Sequence, residues 1–196
     1  MDMLASILQF LARPATLLTL GIIALAYIGY SMAFRWTDEK MVARQQEAFF
    51  DRLSSKKWSR AGELLSDQYR DQWNFSRADA TLALKDVGRQ FLSIHLTPVD
   101  PLVAITAARK GTYSSSINIQ GHGSPIAGQI IAEAQRLTEP FTFTWQKESW
   151  HPWSWRLTQI ANPALPNDLY GYEPGDLTLI INEGARELGL EPLPDL

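Results

Sequence analysis

Three histidines, His95, His122 and His151, are the natural starting points for chemistry in this 196-residue chain. None shares an HxH or HExxH spacing with another, so no zinc-type ligand set is written in the sequence. There are no cysteines, which removes disulfides, thiolate metal sites and cysteine nucleophiles together. No GxSxG elbow, P-loop or dinucleotide fingerprint occurs. The glycine-rich run Gly121–Gly128 lies between two expected strands, without the strand-to-helix context that phosphate binding requires. His122 and His151 read as loop and turn residues. His95 follows an expected helix and could face an interior. Of the groups able to do acid–base work, Tyr69, His95, Asp100 and Glu133 are the candidates for a ligand pocket, with Glu139 beside them. Asp67 and Asp71 flank Tyr69 and read as surface charges or caps. Acid–base chemistry needs one group at a useful pKa and a second to hold developing charge, and no spacing here forces two together. No catalytic residue, metal or cofactor is therefore assigned.

The aromatic residues carry the other signal. Seven tryptophans are present, and Trp145, Trp150, Trp153 and Trp155 crowd one short stretch. Trp145 and Trp155 read as sheet-face core residues. Trp150 and Trp153 fall in a turn, where a large ring is either packed under the loop or offered to a partner. They are the candidate partner surface. A net charge of −3 with no basic tract gives no reason to expect nucleic acid as a partner.

The elements that must position these residues begin with Ala15–Phe34, a run without one charge. At 1.5 Å per residue it spans about 30 Å, the thickness of a bilayer's hydrocarbon core. Arg13 and Pro14 precede it, and Arg35, Trp36, Asp38 and Glu39 stop it. Tyr27, Tyr30 and Trp36 gather toward its end, as aromatics do at membrane interfaces. The run exceeds the 7–15 apolar residues usual for a signal peptide, so an uncleaved anchor is expected, with Met3–Ala12 lying along the membrane surface. A bacterial inner-membrane location with the following domain in the periplasm is the expectation, although the Lys and Arg count alone favours the cytoplasm.

Beyond the anchor, Val42, Gln46, Phe49, Phe50 and Leu53 form one helical stripe over Asp38–Ser54. A short helix follows with Trp58, Ala61, Leu64, Leu65 and Tyr69 on one side. Ser76 caps a third helix on which Ala80, Leu84, Val87, Phe91 and Ile94 step by four and three. The period then changes to two. Strands are expected over Leu102–Ala108, Thr112–Gln120, from Ile126 to Gln135, over Phe141–Trp145 and over Trp153–Ile160. The tail from Pro163 is rich in proline and glycine, with one possible helix over Leu177–Leu190.

Helices followed by a meander of long strands give an α+β class: a cone-like domain of three helices packed on a curved antiparallel sheet. The stretches KKWSRAGELLSDQYRDQW and FTFTWQKESWHPWSWRLTQIANP, in that order, resemble the nuclear transport factor 2-like cone fold, the superfamily of polyketide cyclases and ketosteroid isomerases. The resemblance covers Asp38–Pro163. It implies an apolar cone in which the isomerases place an acidic base and a tyrosine–acid pair. No residue here matches that set position by position, so no enzymatic role carries over. The expected organisation is an N-terminal segment over 1–36, a cone domain over 37–163 and an extension over 164–196. The expected role is a membrane-tethered, non-catalytic subunit or assembly module of a membrane complex, with the bilayer and other subunits or itself as partners. The alternative is a binder of a small apolar ligand, or an isomerase- or cyclase-type enzyme, using the cone.

Overall fold

The structure is a computed structural model and describes residues 14–166 and 172–177, with the side chains of 14–17, 20 and 31–35 outside the description. The expected surface helix over Met3–Ala12 and most of the expected C-terminal helix also lie outside the described residues. Helix α1, Pro14–Arg35, carries the uncharged run. Over the described residues no helix is long and apolar enough to cross a membrane. Within α1 those residues are 18, 19 and 21–30, and they include Leu18, Ile22, Ile23, Leu25, Tyr27 and Ile28, each at least half exposed.

Helix α2, Asp38–Ser54, buries the expected stripe of Val42, Gln46, Phe49, Phe50 and Leu53, and Met41 besides. The next helix, α3, is only Trp58–Gly62. The chain then runs through turns, and Leu65 pairs with Leu157 in an isolated bridge, so Tyr69 sits in a turn and not on a helix. Helix α4, Arg77–Arg89, begins as expected at Ser76, whose hydroxyl accepts from the Asp79 N–H while the Asp79 carboxylate accepts from the Ser76 N–H at 2.9 Å. These Ser76 hydrogen bonds hold the Asp79 carboxyl below its usual range. Ser76→Ala should cost about 1 kcal/mol in denaturant melts. Because a depressed carboxylate stabilises above its unfolded pKa, the Ser76→Ala deficit should shrink as pH falls through the folded value.

Four strands form one antiparallel sheet in the order β1-β2-β3-β4: Phe91–Ala107, Lys110–Gly123, Phe141–Lys147 and Trp155–Ala161. Two expectations are corrected here. Phe91 and Ile94 are not on the third helix; α4 ends at Arg89 and β1 starts at Phe91, eleven residues before the expected strand. Its Pro98 and Pro101 are tolerated because β1 is an edge strand. The stretch from Ile126 is not a strand but helix α5, Pro125–Arg136, capped by the Ser124 hydroxyl with proline at its first position. Four helices, α2 to α5, and not three, therefore accompany the sheet among the described residues, apart from α1. The glycines ahead of α5 serve packing: a Cβ at Gly123 would lie 2.0 Å from the Gln90 carbonyl oxygen.

The core lies between α2 and the sheet. Phe50 meets Phe143 edge-on at 5.6 Å and Tyr113 at 6.2 Å. Buried Trp145 donates its indole N–H to Gln46 Oε1 at 2.9 Å, which satisfies the one polar atom that ring brings inside. Trp155 and Leu157 are fully buried on the same sheet.

Candidate functional site

A cavity of about 420 Å³ opens between the turn after α3, helices α4 and α5 and the end of β4. Its walls are almost wholly carbon: Leu84 and Val87 from α4, Ile126 and Ile130 from α5, Ile160 from β4. The α4 spacing that exposes Ala80, Ala83, Leu84 and Val87 on one face supplies one wall, and the small alanines leave the space. The apolar residues of α5 supply another.

Two polar groups face this cavity from one stretch of backbone. Tyr69, 1% exposed, donates its hydroxyl to Asp71 Oδ2 at a long 3.5 Å. Asp71 Oδ1 accepts from the Trp73 and Phe75 N–H groups at 3.0 and 2.9 Å, a turn that fixes the carboxylate in place. Burial pushes the Asp71 carboxyl above its ordinary value, with the two backbone donors opposing the shift. Burial, reinforced by Asp71, drives the Tyr69 phenol far up, so it acts as a neutral donor. Past Pro163 the chain returns over this region. Trp73 donates to the Pro166 carbonyl at 2.8 Å, and Tyr172 donates to buried Asp86 of α4 at 3.0 Å. Tyr172 and Leu177 complete the cavity wall.

Of the pocket candidates Tyr69, His95, Asp100, Glu133 and Glu139, only Tyr69 is at this cavity. His95 is exposed on β1 opposite Gln120. Asp100 is exposed at a bulge in β1, with φ of 50°. Glu133 is exposed on α5 and pairs with Arg136 at 2.6 Å. Glu139 is exposed in the loop before β3. Trp150 is 81% and Trp153 54% exposed in the β3–β4 turn. Among the described residues no group of three or more His, Asp and Glu is placed to hold a metal.

Asp86 and Tyr172 are the residues that reading the sequence missed, and Asp71, read there as a surface charge or cap, caps this turn and also lines the cavity. Asp71 carried a local signal, a carboxylate two and four residues ahead of turn N–H groups, but nothing local says that it faces α4 and α5. Because burial raises its pKa, folding favours the protonated form, and the contribution of Asp71 to stability should fall as pH rises from the unfolded carboxylate range through the folded value. Asp71→Asn keeps the acceptor for Trp73 and Phe75 and removes that charge. Its stability relative to wild type should rise between acid and neutral pH, as read from denaturant midpoints across that range. A variant that only loses stability at every pH would make Asp71 a plain turn residue.

No protein-family model and no curated protein matches the sequence. Solved structures do match the backbone. A proposed aromatic ring hydroxylase from Novosphingobium aromaticivorans aligns with TM-score 0.50 and 8% identity, over 66% of this chain and 90% of that one. A proposed dehydratase of the nuclear transport factor 2-like family from Streptomyces avermitilis aligns with TM-score 0.49 and 12% identity, over 63% and 93%. Bd1075 of Bdellovibrio bacteriovorus aligns with TM-score 0.48 and 7% identity over 65% of this chain, and the match spans only 40% of that protein's length. At TM-score 0.50 and 8% identity the likeness to the Novosphingobium structure speaks for the fold alone. The domain after α1 is an α+β fold of helices packed on one four-stranded antiparallel sheet.

Proposed function

We propose that this chain is a single-pass, membrane-tethered cone-fold domain that holds a small, mostly apolar molecule without transforming it. The observation that carries the reading is the cavity. Its volume of about 420 Å³ falls within the roughly 300–1,000 Å³ typical of ligand sites, and its carbon walls bear the Tyr69–Asp71 pair as a polar anchor. Such a lining suits a hydrocarbon or ring body with one hydroxyl or carbonyl. Binding without catalysis is supported by the commitments of the polar groups: Asp71 Oδ1 is taken by two backbone donors and Tyr172 by Asp86. The tether is supported by α1, which is apolar on every side and exposes Leu18, Ile22, Leu25 and Ile28. A helix of that kind is stable only with apolar surroundings. In a bacterial cell the tether would sit in the inner membrane with the cone in the periplasm. The same exposed α1 surface favours a second reading, a subunit of a membrane complex whose neighbouring helices cover it.

Two measurements test the proposal. After a carbonate wash the full chain should stay in the membrane pellet, whereas residues 37–196 expressed alone should be soluble and folded by circular dichroism. Full chain released by the wash overturns the tether. Titrating residues 37–196 with the neutral probe N-phenyl-1-naphthylamine should show a single saturable site, and a linear, unsaturable rise overturns the pocket reading.

A further inference from the structure

The β3–β4 turn presents an unusual surface. Trp150 is 81% exposed and Trp153 54%, and the His151 ring lies between them, stacked 3.9 Å from Trp150 and 5.2 Å from Trp153. Burying large rings is favourable by about 25 cal/mol per Å², so this much aromatic surface in water calls for an occupant. The turn is also firmly built. Ser154 Oγ donates toward the carbonyls of Ser149 and His151 at 2.9 and 2.8 Å and accepts from the Ser149 N–H.

Its position names the occupant. Trp153 packs edge-on against Trp36 at 6.0 Å, and Trp36 is the residue that follows α1. Lys147 Nζ pairs with Asp38 Oδ1 at 2.7 Å, and Gln45 donates to the Trp153 carbonyl at 3.2 Å, so the turn is fastened to the start of α2 by three separate contacts. The uncharged run ends at Phe34. Two residues further, at 1.5 Å each, is a rise of about 3 Å, inside an interfacial layer roughly 5–8 Å deep on each side of the hydrocarbon. The neighbouring β1–β2 turn is tied to the same strand end, where Arg109 Nε donates to the Lys147 carbonyl at 2.9 Å, and it exposes Arg109 and Lys110. Glu148, the carboxylate of the aromatic turn, is engaged by the Ser66 hydroxyl at 2.8 Å. Indole rings prefer the headgroup level, where one edge is apolar and the other wet, and cationic side chains there meet lipid phosphates.

We propose that the β3–β4 turn is a second membrane contact. Trp150 and Trp153 seat at the headgroup–acyl boundary of the bilayer that α1 enters, and Arg109 and Lys110 face lipid phosphates beside them. This rests on the tether reading. It adds that the cone is held against the surface at a fixed angle instead of swinging on Trp36–Thr37.

The absence of cysteine allows a direct test on the full chain. Trp150→Cys, Ile23→Cys and Gln129→Cys are each labelled with a nitroxide in vesicles of phosphatidylcholine and phosphatidylglycerol. Collision with oxygen is then compared with collision with a water-soluble nickel chelate. Ile23 reports the anchor, and Gln129 is an exposed α5 position beyond the opposite end of β2. The label at 150 should show an oxygen-to-nickel ratio several-fold above that at 129 and approaching that at 23. If 150 matches 129 while 23 stays in lipid, the second contact fails and the tether stands. If 23 is as aqueous as 129, the tether fails and the second contact falls with it. A label at 150 shielded from both reagents would mean a protein partner, which also overturns the proposal.

Discussion

Phe143→Ala should lower stability by about 3–5 kcal/mol, and Leu157→Ala by about 2–5. Both side chains are at most 2% exposed. Phe143 stands at the centre of an aromatic group, with Phe49, Phe50, Tyr113 and Phe141 rings all within 6.4 Å. Its removal opens a void that four rings border and that none can refill without leaving its own packing, so the cavity term adds fully to the lost transfer energy. Leu157 also accepts the Ser66 N–H and donates to the Leu64 carbonyl, joining β4 to the turn that carries Tyr69. For a domain with ordinary stability of roughly 5–15 kcal/mol, either change alone consumes a large share. Denaturant melts of the full chain in detergent check this, and losses under about 1 kcal/mol would mean that these strand faces are misassigned.

The second large effect concerns the cavity. Ala83 lines it from α4, and Ala83→Trp would put an indole into vacant volume. Filling a void does not force neighbours apart as overpacking a dense core does, so stability should change little. Binding of N-phenyl-1-naphthylamine to residues 37–196 should weaken at least about tenfold, equivalent to about 1.4 kcal/mol. Unchanged affinity in a folded Ala83→Trp variant would place the probe elsewhere.

Much of the fold was legible because several elements each satisfy one period and carry their own boundary signals. The α2 stripe, the Ser76–Asp79 cap and the alternation through Phe143 and Trp145 all stand where the spacing puts them. Two stretches misled for a definable reason. Ile126, Ile130, Ala132 and Ala134 lie at even spacings, which fit a strand, yet the first two and Ala134 also step by four, which fits a helix. Ser124-Pro125 was the cap that should have decided. Likewise Phe91 and Ile94 continue a helical count by coincidence, although they begin an edge strand. The site was far less legible. Tyr69 could be named, and Asp71 could be read as a surface charge or a cap, but not as a cavity residue. Its burial depends on α4 and α5 meeting across residues distant in sequence, and local pattern does not carry that.

The central proposal is that the domain after α1 holds a small apolar molecule beside Tyr69 and Asp71. The most direct measurement is to purify the full chain and its Ala83→Trp variant side by side from cells expressing each, extract both with organic solvent, and compare the extracts by mass spectrometry. The account predicts a discrete apolar molecule, near one per chain, that accompanies the wild type and is missing from the variant. Identical extracts from two equally folded proteins would contradict it.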